Sequence, residues 1–130
     1  MGIEDIVYDL IKEYRASRAD KQKQIEIAKL IAKKTYLRFH FEWKTERDAG
    51  RHERAITAQK AILKQYAQIF LDIAVEIYDV LPDESERMQN IASIMKSGAY
   101  AIIMQGDNTT TTIGDECSAK VTEFVQELIE

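Results

Sequence analysis

The chain has 130 residues, of which 45% are hydrophobic and 31% charged, and its formal net charge is −4. This length fits a single domain over residues 1–130, and the composition is typical of a soluble globular protein. No apolar run approaches the roughly 18 residues of a membrane span. The single cysteine cannot form an internal disulfide, and the acidic, amphipathic start is unlike a signal peptide. We therefore expect a cytoplasmic protein without a membrane partner.

Apolar residues recur at helical spacing through most of the chain. The first helix covers residues 3–14, and Asp20 is placed to cap a second helix over residues 21–48. Gly50 is the first residue that ends this pattern, and a third helix runs over residues 51–81. With one proline and five glycines, few residues interrupt these helices.

A fourth helix follows the only proline, in LPDESE, where Asp83 or Ser85 is placed to cap it. It continues to about residue 104, and Gly98 within it marks a close approach to another helix. Residues 105–116, QGDNTTTTIGDE, are typical of a loop, and a last helix closes the chain. We predict an all-α bundle of four to five helices with two long central helices, which forms an oligomer.

The stretch YLRFHFEW, residues 36–43, lies within the second helix, which has apolar residues on two sides. One side holds Ile27, Leu30, Ile31, Leu37 and Phe41, and the other holds Ile25, Ala28, Ala32, Tyr36, Phe39 and Trp43. A helix that is apolar on both sides must bury both. It is either the centre of a five-helix bundle or half of a dimer seam. Because aromatic residues are enriched at interface centres, we predict a homo-oligomer with Tyr36, Phe39 and Trp43 at its interface.

Charge is separated along the chain. Residues 15–64 hold 14 Lys or Arg against 6 Asp or Glu, whereas residues 65–130 hold 3 against 12. The two kinds of helix either neutralise each other within the bundle, meet between copies or with a protein partner, or display a basic stripe to a nucleic acid. The residues of such a stripe are Lys29, Lys33, Lys34, Arg38, Lys44, Arg47, Arg51 and Arg54.

The segment RDAGRH, residues 47–52, provides the candidate catalytic residues, Arg47 and His52. Their spacing resembles the Arg-x4–6-His motif of HEPN-type ribonucleases, which are small all-helical proteins that dimerise to form a composite site. The resemblance implies that Arg47 steadies a phosphate while His52 assists proton transfer. Neither histidine follows a Glu by three residues, as a ferritin-like metal site requires, so we expect no metal or cofactor.

Cys117 is placed in the first turn of the last helix, where the helix dipole favours a thiolate. Asp115 and Glu116 beside it oppose that effect, so we interpret the cysteine as structural. We therefore predict a non-enzymatic helical interaction module, a small accessory protein that self-associates and docks on a macromolecular partner. The first alternative is a nucleic-acid-binding protein that uses residues 15–64, and the second is a HEPN-like ribonuclease.

Overall fold

A computed structural model describes residues 2–50, 52–102 and 108–129, and within these ranges it contains five α-helices and no strand. The helices are α1 (Ile3–Ala16), α2 (Lys21–Asp48), α3 (Glu53–Ile77), α4 (Pro82–Ala99) and α5 (Thr109–Ile129). The predicted all-α class is confirmed, and α2 and α3 are the longest of these helices, with 28 and 25 residues.

Helices α2, α3, α4 and α5 pack around one core, and α1 lies on the outside against α2. Helix α2 contacts both α3 and α5, while α3 packs most extensively on α4. This arrangement places one side of α2 in the centre of the molecule and leaves another side facing outward beside α1.

The ends of α2 follow the sequence signals. The Oδ1 atom of Asp20 accepts a hydrogen bond from the backbone N–H of Lys23 at 3.1 Å, which confirms Asp20 as the cap. After α2 ends, Gly50 has a φ of +118°. Side-chain-bearing residues rarely adopt this conformation, so the glycine permits the sharp turn into α3.

The predicted cap of α4 is wrong. Leu81 is the residue before the first turn, and Pro82 opens the helix without a side-chain cap. The first position of a helix suits proline, because a backbone N–H there would have no hydrogen-bond partner within the helix. Ser85 is fully buried instead, and its hydroxyl donates to the backbone oxygen of Ala74 at 2.6 Å, which ties α4 to α3.

The predicted loop over residues 105–116 is wrong from residue 109 onward, because α5 begins at Thr109. The buried hydroxyl of Thr110 donates to the Gly98 oxygen at 3.1 Å, and that of Thr111 donates to Gln59 Oε1 at 2.6 Å. These tertiary bonds offset the low helix propensity of threonine. Helix α4 ends at Ala99 rather than near residue 104, and residues 103–107 lie outside the described ranges.

Aromatic side chains from α2 and α3 form the centre of the core. Tyr36, Phe39 and Trp43 come from α2, and each is at most 1% exposed. The ring centroids of Phe39 and Tyr66 are 5.3 Å apart, and those of Tyr36 and Phe70 are 5.5 Å apart, in edge-on geometry. Such contacts stabilise the pair beyond the burial of apolar area alone.

Two glycines set how closely α4 and α5 approach their neighbours. A Cβ atom on Gly98 would lie 2.8 Å from side-chain carbons of Leu63 and Ile113, so the predicted close approach at Gly98 is confirmed. A Cβ atom on Gly114 would overlap two carbons of the Trp43 ring. The indole therefore occupies the space that a side chain on α5 would need.

The Gly114→Ala substitution is expected to lower the free energy of unfolding by about 3 kcal/mol, because the Trp43 ring must leave its place to admit a methyl group. Urea unfolding followed by the fluorescence of Trp43, the single tryptophan, measures the change. Gly2→Ala is the matched control, since the nearest atom to its added carbon is 3.9 Å away. Equal unfolding midpoints for the two variants would contradict the contact.

Candidate functional site

The chain's own helices cover Tyr36, Phe39 and Trp43, which were predicted to form a dimer seam. The Tyr36 hydroxyl donates to Glu84 of α4, and burial raises the pKa of this tyrosine. The Trp43 Nε1–H donates to Asp115 Oδ1 of α5 at 2.9 Å. Their polar atoms are therefore satisfied inside one chain, and a second copy cannot reach them in this fold. The predicted dimer interface at these three residues is therefore wrong, because they form the core of one chain.

The opposite side of α2 divides into a buried and an exposed part. Ile27 and Ile31 are buried. Leu30, Leu37 and Phe41 are 38%, 46% and 69% exposed. Lysines interleave with these three residues at helical spacing. We call this surface the α2 outer face, and its residues are Leu30, Lys33, Lys34, Leu37, Phe41 and Lys44.

A groove of about 350 Å³ runs between α1 and the α2 outer face. Its apolar lining comes from Ile3 and Ile6 of α1 and from Leu37 and Phe41 of α2, and Lys34 and Arg38 supply positive charge. An apolar floor with two cations suits a ligand that is both apolar and acidic.

Arg38 is the cation of this groove that lies closest to the protein interior. Its Nε atom is buried and makes no hydrogen bond within the described residues. The nearest carboxylate oxygen, Glu42 Oε1, is 3.7 Å away, which is too far for a hydrogen bond. The other oxygen of Glu42 accepts from the Tyr66 hydroxyl. Arg38 thus has an intrachain carboxylate as its ion-pair partner, and its unbonded Nε faces the interior rather than the groove.

The predicted nucleic-acid-binding residues do not form one stripe. Lys29, Lys33, Lys34 and Lys44 lie on the outward side of α2, and across the described ranges none of them forms an ion pair. Arg47 is paired with Asp115 at 3.0 Å. Arg54 is exposed on α3, and Arg51 lies outside the described residues. The charge is therefore displayed on α2 and partly neutralised toward its end.

The candidate catalytic residues Arg47 and His52 both have structural partners. The Nε atom of Arg47 donates to Asp115 Oδ2 at 3.0 Å, which joins the end of α2 to α5. The Nδ1 atom of His52 accepts from the Ala55 N–H at 3.2 Å and caps α3. These contacts give both residues a structural role that needs no substrate. Ribonuclease activity at this junction stays a prediction.

Two further groups that could carry chemistry are Cys117 on α5 and His40 on α2. Cys117 is fully buried about two turns into α5, not in its first turn as predicted. Burial, with a smaller effect from Glu116, raises the pKa of its thiol to about 12. His40 is half-buried, with Nδ1 2.5 Å from the Ser118 hydroxyl oxygen. The middle of a helix offers no backbone N–H groups to stabilise an oxyanion, because these groups bond within the helix.

No family model, curated protein or solved structure matches this chain. Within the described ranges, no helix combines the length and apolarity needed to cross a membrane. In the same part of the chain, no three His, Cys, Asp or Glu side chains converge in a way that would hold a metal ion. The α2 outer face and its groove are therefore the candidate site.

The prediction placed the wrong side of α2 at the surface, because it assigned the side with Tyr36 to an interface and the side with Leu37 to the core. Lys33 and Lys34 lie one turn before Leu37 on the same side of the helix, and lysine is rarely buried without a partner. By contrast, Ala32 lies one turn before Tyr36. The positions of the lysines identify the outward side, so this signal was present in the sequence.

At about pH 8, Cys117 is expected to react with a disulfide reagent such as DTNB only when the chain opens, because a buried protonated thiol is a poor nucleophile. Release of thionitrobenzoate from the folded protein measures the rate, and the protein in denaturing urea is the control. A folded-state rate equal to that in urea would contradict the burial and raised pKa of the thiol.

Proposed function

We propose that this protein is a non-enzymatic interaction module that docks an acidic, amphipathic helix of a protein partner on the α2 outer face. One observation carries the proposal: Leu30, Leu37 and Phe41 are exposed on a single side of a long helix and interleave with lysines that form no ion pair with any residue the structure describes. Helix-in-groove recognition uses apolar anchors at this spacing.

Docking at this face has two physical sources of affinity. Covering Leu37 and Phe41 removes apolar surface from water, which contributes about 25 cal/mol per Å² before the cost of association. The lysines of the face, Lys33, Lys34 and Lys44, attract carboxylates, which raises the association rate and fixes orientation. A partner with apolar residues on one side and acidic residues beside them satisfies both requirements.

Acidic residues limit the length of the partner. Glu26 and Asp48 are exposed on the same side of α2, before and after the α2 outer face. The stretch from Leu30 to Lys44 spans about 21 Å at the rise of an α-helix. A partner helix of about 14 residues covers it without meeting either carboxylate.

The same features favour a protein partner over a nucleic acid. A phosphate backbone pairs with lysines but leaves Leu30, Leu37 and Phe41 without apolar contacts, and protein–nucleic acid interfaces are polar. Glu26 and Asp48 repel a long polyanion that continues along α2. The proposal that residues 15–64 bind nucleic acid therefore takes second place.

A fluorescent acidic peptide of about 18 residues, with leucines on one helical side, is expected to bind the wild-type protein and to dissociate as salt concentration rises. Phe41→Ala and Lys34→Glu should each weaken binding about tenfold, because they remove an anchor and reverse a charge. Fluorescence anisotropy measures the dissociation constants.

Two exposed residues on other helices provide matched controls. Tyr78→Ala removes an exposed aromatic side chain after α3, and Lys96→Glu reverses an exposed charge on α4. Neither should change the affinity for the peptide. The proposal fails if the controls weaken binding as much as the face variants do. It also fails if a single-stranded oligonucleotide binds and the acidic peptide does not.

A further inference from the structure

A second groove lies on the other side of α1, between α1 and α3. Its volume is about 380 Å³. Val7 and Ile69 are buried at its floor, Ile11 is half-buried beside them, and Tyr8 is 60% exposed at its edge. The apolar character of this surface matches that of the α2 outer face.

The charge of this α1–α3 groove is opposite to that of the α2 outer face. Glu4 and Asp72 line it, and the one cation described at its edge is Lys12, whose Nζ lies 4.6 Å from the centre of the Tyr8 ring. Gln65 donates to Glu4 Oε1 at 3.3 Å, and Gln68 donates to Asp72 Oδ1 at 2.9 Å. Each carboxylate therefore keeps its other oxygen available.

The α1–α3 groove and the α2 outer face also agree in spacing. Lys34 and Phe41 are seven residues apart on α2, so they lie about 10 Å apart along the helix and on the same side. Glu4 and Ile11 have the same separation on α1. Lys34 on one surface therefore matches Glu4 on the other, and Phe41 matches Ile11 at the same distance along the helix.

We infer that the occupant of the α2 outer face is a second copy of this chain, which receives the face in its α1–α3 groove. This inference rests on the proposed function, because it names the partner at the same face. Phe41 packs on Val7, Ile11 and Ile69 of the other copy. Lys34 pairs with the Glu4 carboxylate. Because Glu4 bonds Gln65 and Arg15 bonds Glu76, α1 and α3 run in the same direction and Asp72 lies level with Ile11, where Lys44, three residues beyond Phe41, faces it across the contact.

The association is head-to-tail, since the two surfaces lie on opposite sides of α1. A two-fold dimer in which both surfaces pair at once would place the outward sides of two α1 helices against each other. The exposed acidic residues there, Asp5, Asp9 and Glu13, outnumber Lys12, the one exposed cation described on that side, so the two sides carry net like charge and repel. Each copy instead binds one neighbour with its α2 outer face and another with its α1–α3 groove, so the assembly grows by addition of copies.

Sedimentation velocity on the full chain tests this arrangement. The wild-type mass should rise with concentration beyond that of a dimer at tens of micromolar. Lys34→Glu and Asp72→Lys should each weaken association about tenfold or more, because each places like charges across the contact. Lys96→Glu and Glu123→Lys, at exposed positions on α4 and α5, are the matched controls and should leave association unchanged.

Mixing the two face variants provides the sharper test. The Asp72→Lys protein retains a normal α2 outer face, and the Lys34→Glu protein retains a normal α1–α3 groove. An equimolar mixture should form 1:1 heterodimers that do not grow further. A mixture that stays monomeric overturns the inference, as does a wild-type protein that stays monomeric or stops at a dimer.

The outcomes separate this inference from the proposed function. If the acidic peptide binds the α2 outer face but the wild-type protein does not self-associate, only the inference about the second copy fails. If neither occurs, the proposed function fails as well. If self-association occurs and Asp72→Lys leaves it unchanged, the α1–α3 groove is not the receiving surface, and the inference is again overturned.

Discussion

Helix α2 carries apolar side chains on two sides, and the helices of the chain fully cover only one of them. The covered side supplies Tyr36, Phe39 and Trp43 to the core. This choice follows from α5, where Gly114 leaves room for the Trp43 ring. Because the bulky aromatic residues point inward, the other side of α2 faces α1 and solvent. The exposed face, its groove and the proposed docking all follow from this division.

Local signals in the sequence predict much of the fold. Asp20 and Gly50 mark the ends of α2 because a cap and a positive φ depend on neighbouring residues. The start of α5 was not predictable in this way. Thr111 is helical because its hydroxyl reaches Gln59, a residue far away in sequence. Such a contact exists only after α3 and α5 have packed.

The candidate site was only partly predictable for the same reason. The lysines around Leu37 identify the outward side of α2 from spacing alone. The two grooves depend on where α1 lies on the bundle, and contacts such as that between Arg15 and Glu76, which are far apart in sequence, hold it there. Glu4 and Asp72 line one groove although they belong to helices far apart in sequence.

The charge separation along the chain has both an internal and an external role. Arg15 pairs with Glu76 at 2.6 Å and lowers the pKa of that carboxyl group, and Arg47 pairs with Asp115. Arginines thus join the basic half of the chain to the acidic half within one molecule. Lysines on α2 remain available for contacts outside it.

The interleaving of lysines with Leu30, Leu37 and Phe41 also affects behaviour in concentrated solution. Charged residues flanking apolar ones act as gatekeepers, because each nonspecific contact between apolar surfaces must bring like charges together. Contacts between the α2 outer faces of two copies are therefore disfavoured by repulsion between their lysines. Leu30, Leu37 and Phe41 thus stay accessible for an acidic counterpart, while nonspecific contacts between these apolar side chains are disfavoured.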